Sequence, residues 1–392
     1  MKYDFSNMKG KAGTLYRNMW GKTDFEPDDF ITNKNWTGNE SKDSFFIKTP
    51  ETTKAFDQII PALAKDLANA FELGNKERFT EKLRQACGGS GQEAMKIATM
   101  HSSSLCSLLF FYNLSGESDD LSDGNRLVLE LGKDNKRYSF YKSLFEFQNV
   151  VIGSGSPSNM DVVLLGQEIC KDNGVDFKPV VLFLESKFSE YYIGVAKHLD
   201  ISKAYLKNEY GEKVYNELLS VKVDNDESGY KYSKKEGKDP EKQFRLSVRQ
   251  EEYLDGIKQM ISHYIGVCNL IDKEIVKKHA CEEEYRKVSD LINNGATVLL
   301  GSIVFDDLFR GAENQFYTNY KLNYKMLAGI LNNVSKLGVK GEPKVKQLTV
   351  LEEPLTYTKL VEEMEECNFQ LDKKVKDYYF SKNKATNSDV PE

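Results

Sequence analysis

The chain has 392 residues, of which 40% are apolar and 29% are charged, and its formal net charge is −6. This composition allows a sizeable core and argues against global disorder, while the acidic balance argues against a protein held to nucleic acid by bulk positive charge. The six cysteines form no Cys-x-x-Cys pair and no close cluster with the four histidines, which argues against a zinc site and a disulfide framework.

The amino-terminal sequence, MKYDFSNMKGK, lacks the apolar stretch of a secretory signal, and no apolar run in the chain has the length of a membrane-spanning helix. Unpaired thiols are typical of a reducing compartment. We therefore expect a cytoplasmic protein without a membrane segment.

The first 120 residues are predicted to form a mostly helical extension packed on the core. Apolar side chains recur at helical spacing over residues 53–73, where Pro61 marks a kink or a late helix start, and again over residues 76–87. Glycines then interrupt the chain before the next helical pattern.

A third helix is predicted to begin at a capping box. Ser90 and Glu93 have the spacing at which the serine caps the helix and the glutamate reaches back to it. The apolar pattern that follows runs through Leu109, so the helix is expected to extend that far.

Strand patterns dominate from about residue 125. The runs near 161–166, 179–186 and 296–305 are continuously apolar, as in strands buried on both faces. Two earlier segments, near 126–131 and 138–151, also indicate strands. Together these segments define a core predicted to span residues 121–310.

The remaining segments surround this core. Residues 197–250 begin as a helical pattern and end in a polar loop, which indicates a polar helical or loop insertion at about 200–246. Further helices are predicted at 247–270, 320–337 and 356–367, with a short strand near 345–351, and the last two helices belong to a C-terminal helical region, 311–380. The tail, 381–392, is expected to be disordered. The fold class is therefore α/β, with a central mixed sheet flanked by helices.

Charged residues stand at the ends of two buried strands. Asp161 begins one strand, and Glu185 and Lys187 end the next. Side chains two residues apart in a strand project from the same face, so Glu185 and Lys187 point together. If the two strands pair, Asp161 reaches the same place.

Two interpretations of this cluster remain open on the residues alone. One is a salt bridge at a sheet edge, in which Lys187 pairs with Glu185 or Asp161. The other is a cation site, because two nearby carboxylates repel each other unless a charge neutralises them, and Mg²⁺ prefers oxygen ligands. The lysine would then stabilise charge on a phosphoryl group.

The order of these motifs resembles the PD-(D/E)xK nuclease superfamily, the restriction-endonuclease-like fold. LFEFQ, GSGSPSNMDVVLL and VLFLESKFSE are similar to a bacterial branch with an acidic strand, a Gly-rich turn before the aspartate and an E-x-K-F-x-E ending. Specific motifs cover residues 144–190, and element order extends the resemblance to about 90–305. Met160 precedes Asp161, where the superfamily has proline.

The resemblance implies a role for each matching residue. Asp161 and Glu185 would be metal ligands, with Glu146 as a further acid at the metal. Lys187 would be the catalytic lysine, and Glu190 a supporting acid. It also implies a restriction-endonuclease-like core with N- and C-terminal helical additions.

The helix after the catalytic strands carries a polar stripe, since Asp255, Gln259 and His263 are spaced four residues apart. An ordinary solvated face explains Asp255. The resemblance implies that Gln259, and Tyr264 after it, line the active site, because several branches carry a Gln followed by a Tyr there. His263 is interpreted as a satisfied helix histidine rather than a metal ligand, since no histidine or cysteine is near.

Three weaker candidates have simpler explanations. Glu93 could reach the site, but its capping box explains it. The serines at 102–104 could contact phosphate, although small residues there also suit close helix packing. The locally basic stretch 231–238 could grip a DNA backbone, or be a solvated polar loop.

These observations and the resemblance together predict an endonuclease that depends on Mg²⁺ or Mn²⁺ and cuts double-stranded DNA, in bacterial restriction or defence. The resemblance also leaves open a repair or recombination nuclease, and a catalytically silent nuclease fold that works by binding a partner. Double-strand cutters of this fold often dimerise, so a homodimer is a further expectation, although no interface signature is visible in the sequence.

Overall fold

The structure is a computed structural model. It describes residues 30–32, 45–47, 56–87, 97, 102–116, 124–134, 136–151, 158–169, 178–188, 198–202, 205, 208–220, 231–234, 243–247, 257–273, 282–306, 315–337 and 347–380.

The helices of these residues are α1 (Phe56–Ala70), α2 (Lys76–Cys87), α3 (Ser103–Phe111), α4 (Glu209–Ser220), α5 (Ile257–Lys273), α6 (Glu282–Asn293), α7 (Gln315–Leu337), α8 (Tyr357–Glu366) and α9 (Lys373–Phe380). The strands are β1 (Phe30–Thr32), β2 (Phe45–Ile47), β3 (Leu127–Leu131), β4 (Lys136–Asn149), β5 (Ser158–Glu168), β6 (Pro179–Lys187), β7 (His198–Ser202), β8 (Lys231–Lys234), β9 (Gln243–Ser247), β10 (Thr297–Val304), β11 (Leu348–Val350) and β12 (Leu355–Thr356).

A mixed sheet of seven strands forms the centre of the described part of the chain. Its order is β11-β10-β6-β5-β4-β3, and β12 also pairs with β10. The strands from β3 to β6 pair antiparallel, whereas β10 pairs parallel with β6, β11 and β12. The α/β class with a central mixed sheet is confirmed.

The middle strands are apolar because both of their faces are covered. In β5 and β6 the side chains from Val162 to Leu165 and from Val180 to Leu184 are almost completely buried. Helix α5 packs against β4 and β5, while α3 packs against β5 and β6. Continuous apolar runs are the expected pattern for such strands.

A close approach fixes α5 on the sheet. A Cβ at Gly266 would lie 2.5 Å from the Cβ of Asn149 in β4, so only glycine allows this spacing. One turn further along, the Asn269 side chain donates from Nδ2 to the carbonyl of Val150 at 2.8 Å. These contacts set the position of the whole helix, including the turns that face the ends of β5 and β6.

Helix α3 begins later than the sequence predicts. Ile97 lies in a turn, and Ser102 caps α3, since its Oγ accepts a hydrogen bond from the backbone N–H of Leu105 at 3.0 Å. The prediction of one continuous helix as far as Leu109 is therefore wrong, while its predicted start at Ser90 and Glu93 lies outside the described residues. Pro61 lies inside α1, so that helix starts before the proline.

The insertion near residues 200–246 contains more strand than the sequence predicts. Strands β7, β9 and β8 form a three-stranded antiparallel sheet. Helix α4 lies between β7 and β8 in the sequence. The predicted helix at 197 is wrong, since residues 198–202 are β7, and the helix predicted from residue 247 is described from Ile257. The error at residue 197 arises because β7 pairs with residues more than 40 positions away, which local periodicity does not reveal.

No helix among the described residues is both long and apolar enough to cross a membrane.

Candidate active site

The predicted charged residues come together where β5 begins and β6 ends. The two strands pair antiparallel, with Val162 opposite Leu184. Asp161 and Glu185 follow directly on this pair and are therefore neighbours across the two strands. The backbone pairing of the two strands ends at Val162 and Leu184, and the Asp161 carboxylate accepts a hydrogen bond from the backbone N–H of Ser186 at 2.7 Å.

Glu146 of β4 adds a third carboxylate beside Asp161 and Glu185. These three carboxylates and Lys187 are called here the charged row. Phe145 pairs with Val162 and Phe147 with Met160, so Glu146 stands opposite Asp161. Its φ is 49°, in the left-handed region that residues other than glycine rarely adopt, and its side chain is buried. Backbone strain of this kind concentrates at functional sites.

Lys187 is held by Glu185 and Gln259. Its Nζ donates to Glu185 Oε1 at 2.7 Å and to Gln259 Oε1 at 2.6 Å. Gln259 reaches it from the first turns of α5, and the backbone carbonyl of Lys187 accepts from the N–H of Phe305 at the end of β10. The amine is thus oriented within a row of oxygen atoms.

His263 contacts the site, which the sequence interpretation missed. Its Nε2 lies 2.7 Å from Glu185 Oε2, and its Nδ1 lies 2.6 Å from Ser158 Oγ. The residue is satisfied, as expected of a helix histidine, but its partner is the carboxylate of the candidate site. The available signal was its spacing: His263 is one turn after Gln259, so a helix that aims one side chain at Lys187 aims the other at Glu185.

The pKa of Asp161 lies well above its ordinary value of 3.8. Burial is the largest cause, and the negative charges of Glu185 and Glu146 add to it. The charge of Lys187 and the N–H of Ser186 oppose the rise only in part. The folded protein therefore favours a neutral Asp161, or one with a further positive charge nearby.

Glu185 behaves in the opposite way. Burial is the largest single cause and would raise its pKa, but the charges and hydrogen bonds of Lys187 and His263 together outweigh burial and lower the pKa to about 2. Two adjacent carboxylates thus have pKa values that are pushed apart, an arrangement that is frequent in active sites.

The cluster lies at the border between core and solvent. Glu185 and Lys187 are 3% and 4% exposed, whereas Asp161 is half-buried and Gln259 is exposed. An incoming ligand would therefore meet Asp161 and Gln259 first.

Oxygen donors of the kind that Mg²⁺ prefers line this row, namely the carboxylates of Asp161, Glu185 and Glu146. Both oxygens of Glu185 accept a hydrogen bond from the protein, yet each keeps a further lone pair. In the described part of the chain no three His, Cys, Asp or Glu side chains form a ready-made ion cage. Magnesium commonly uses only one or two carboxylates with waters and phosphate oxygens, so the donor set fits such an ion.

Some predicted residues lie elsewhere. Tyr264 is buried and its hydroxyl pairs with Ser335 Oγ at 2.9 Å, so it faces α7 and not the charged row. The serine run 102–104 caps and begins α3, and the Ser103 carbonyl accepts from Ser186 Oγ at 3.2 Å. Of the basic stretch 231–238, only strand β8 is described. The predictions for Glu93, Glu190 and Asp255 fall outside the described residues.

Comparison of the chain with protein-family models, with curated proteins and with solved structures finds no match. The site must therefore be interpreted from its own residues.

Proposed function

We propose that the chain is a metal-dependent endonuclease that hydrolyses phosphodiester bonds of double-stranded DNA, in restriction or defence. The observation that carries the proposal is the neighbouring placement of Asp161 and Glu185 across β5 and β6, with Lys187 two residues further on the same face. Such a row supplies what phosphodiester hydrolysis needs: negative oxygens for a divalent cation and a fixed positive group.

Each residue of the row has a separate part in the proposed reaction. Asp161 and Glu185, supported by Glu146, would hold a Mg²⁺ or Mn²⁺ ion, which when bound lowers the pKa of a coordinated water and polarises the phosphoryl group. Lys187, oriented by Glu185 and Gln259, stabilises charge that develops on the phosphate oxygens. In-line attack by water leaves a 5′ phosphate and a 3′ hydroxyl.

The raised pKa of Asp161 supports the presence of a cation in the working state. With the protein's own groups alone, the neighbouring negative charges and burial disfavour ionised Asp161. An additional positive charge beside Asp161 would remove that penalty. A bound divalent cation would thus lower the pKa of Asp161 and stabilise its ionised form.

A second candidate is a catalytically silent module of the same architecture that binds a partner. The observation that favours it is that Glu185 and Lys187 are almost fully buried and form an ion pair with each other. A buried ion pair of this kind also serves as a purely structural element.

Plasmid cleavage tests the proposal. Wild-type protein with supercoiled DNA and Mg²⁺ or Mn²⁺ should produce nicked and linear product, and chelation should abolish it. Asp161→Asn keeps an oxygen that can accept from Ser186 but removes the charge, and should reduce cleavage by at least about 100-fold. Asp134→Asn, an exposed aspartate in the β3–β4 turn, is the matched control and should cleave as wild type does.

The same assay separates the alternatives. Cleavage that survives Asp161→Asn would reject the assigned site. Wild-type protein that binds a duplex in a gel-shift assay but cleaves neither DNA nor RNA with either metal would favour the silent module.

A further inference from the structure

A polar cavity lies toward the other end of the central strands. It has a volume of about 690 Å³ and lies between α2, the start of β3 and the segment after α8. Ser139 of β4 lines it and pairs with Gln167 of β5, which is six residues along the strand from Asp161. At the rise of a β-strand this separation is about 20 Å, so the cavity is distinct from the charged row.

Two arginines give this cavity a positive lining. Arg126 is only 7% exposed, donates from Nη1 to Ser139 Oγ at 3.4 Å and stacks over the Tyr141 ring at 5.3 Å. Arg78 enters from α2 and donates from Nη1 to the carbonyl of Leu114 at 3.4 Å. The described residues that line the cavity include no aspartate or glutamate. This positive lining stands out in a chain with a net charge of −6.

Asp372, two residues after the lining residue Gln370, is held by other groups. Asp372 accepts hydrogen bonds from the backbone N–H of Gly74 and from the hydroxyl of Tyr112. It therefore ties α9 to the loop after α1 and to the end of α3. A ligand in the cavity would meet the guanidinium groups and not this carboxylate.

Amide side chains hold the walls in place. Asn125 donates from Nδ2 to the carbonyl of Asn113 at 3.1 Å, and its Oδ1 accepts from the backbone N–H of Gln370 at 2.8 Å. Asn113 in turn donates from Nδ2 to the carbonyl of Gln370 at 3.2 Å. The segment from Asn113 to Asn125 is joined in this way to Gln370, which is 245 residues from Asn125, so the cavity is formed without a ligand, which lowers the entropic cost of binding.

We propose that this cavity, called here the arginine pocket and defined by Arg78, Arg126, Ser139, Asn113, Asn125 and Gln370, binds a nucleoside phosphate. Its volume lies within the usual range of small-molecule sites, about 300–1,000 Å³, and exceeds what a lone phosphate needs. Guanidinium groups match phosphate oxygens in bidentate geometry. The side-chain amide of Gln370 matches the polar edge of a base, and Val128 and Ile169 offer apolar contact to its face.

Isothermal titration calorimetry on the full chain tests this proposal. The probes are AMP, GMP, CMP and UMP, together with inorganic phosphate and the corresponding nucleosides. We expect at least one nucleotide to bind and phosphate to compete with it, while nucleosides bind more weakly. Arg78→Gln, at a half-buried position, should weaken binding by at least about tenfold. Arg84→Gln, an exposed arginine of the same helix, should leave binding unchanged.

Arg126→Gln adds a second variant, whose fold is checked by its circular dichroism spectrum. If it folds, it should lose binding; if it does not, the Arg78 and Arg84 pair decides. The proposal fails if no nucleotide binds at about 1 mM, or if Arg78→Gln binds as wild type does. Plasmid cleavage by Arg78→Gln should match wild type, so failure of the pocket and failure of the proposed nuclease are distinguishable.

Discussion

The two faces of β6 differ sharply where the strand ends. One face carries Glu185 and Lys187, which bond to each other and to His263 and Gln259 of α5. The other face carries Ser186, whose Oγ lies 2.9 Å from the hydroxyl of Tyr357 in α8 and donates to the carbonyl of Ser103. Both faces are buried, yet only one of them contains charge.

The two faces differ in how much free energy of unfolding is lost when one of their polar side chains is removed. A neutral hydroxyl pair in a core contributes about 1 kcal/mol, and its loss is tolerable. Charges as buried as Glu185 and Lys187 are stable only together, because each would otherwise be an uncompensated buried ion. Apolar residues of similar volume would often stabilise these positions as well as the ion pair does, and the proposed nuclease chemistry gives the charges a use.

The largest effect on stability is expected when one partner of the buried pair Glu185–Lys187 is removed. Lys187→Ala leaves Glu185 buried without its ammonium partner and should lower the free energy of unfolding by about 3–5 kcal/mol in urea denaturation. Ser186→Ala, on the opposite face of the same strand, should cost only about 1 kcal/mol. Equal losses for the two variants would mean that the faces do not differ as described.

Acid should reveal the same asymmetry in the wild-type protein. Glu185 has a pKa lowered from 4.5 to about 2 in the folded state, so the stability from its pairing is complete above pH 4.5 and is lost as the pH falls toward 2. The deficit of Lys187→Ala relative to wild type should therefore shrink over that range. Urea denaturation at several pH values measures it, and the Ser186→Ala deficit should remain constant.

An intermediate effect comes from moving α5 away from the charged face. Gly266→Ala places a Cβ 2.5 Å from that of Asn149, so the helix must shift and carry Gln259 and His263 with it. We expect a loss of about 1–3 kcal/mol and weaker cleavage. Gly329→Ala in α7 is the matched control: nothing lies within 4 Å of its Cβ, and it should be neutral or stabilising by up to about 1 kcal/mol.

The smallest effect has the opposite sign. Burial and the charges of Glu185 and Glu146 raise the pKa of Asp161, so this group destabilises the fold increasingly as the pH rises above about 4. Asp161→Asn should therefore be more stable than wild type at pH 7, on the order of 1 kcal/mol, with little difference at pH 4. A thermal melt at both pH values measures this, and a variant less stable at pH 7 would contradict the described electrostatics.

Much of the central sheet could be predicted from the sequence because its strands are continuous apolar runs. The same runs place Asp161 and Glu185 at their ends, and strand alternation puts Lys187 beside Glu185. The small sheet of β7, β8 and β9 was missed, since its pairing joins residues far apart in the chain and its short strands leave weak periodicity.

The helix side of the site was harder to predict. His263 bonds to Glu185 because of how α5 is rotated and seated on the sheet, and the close contact of Gly266 with Asn149 sets that position. Helical periodicity shows which side chains share a face but not which charged residue that face will meet. Likewise, the apolar pattern that ends at Leu109 does not show that α3 begins only at Ser103, after its cap at Ser102.

Crystals of the wild-type protein soaked with Mn²⁺ test the central claim most directly. We expect an anomalous peak about 2.0–2.6 Å from carboxylate oxygens of both Asp161 and Glu185, with Lys187 beside it, and we expect the peak to disappear in Asp161→Asn. An empty row in crystals that bind Mn²⁺ elsewhere, or a peak that persists in Asp161→Asn, would contradict it.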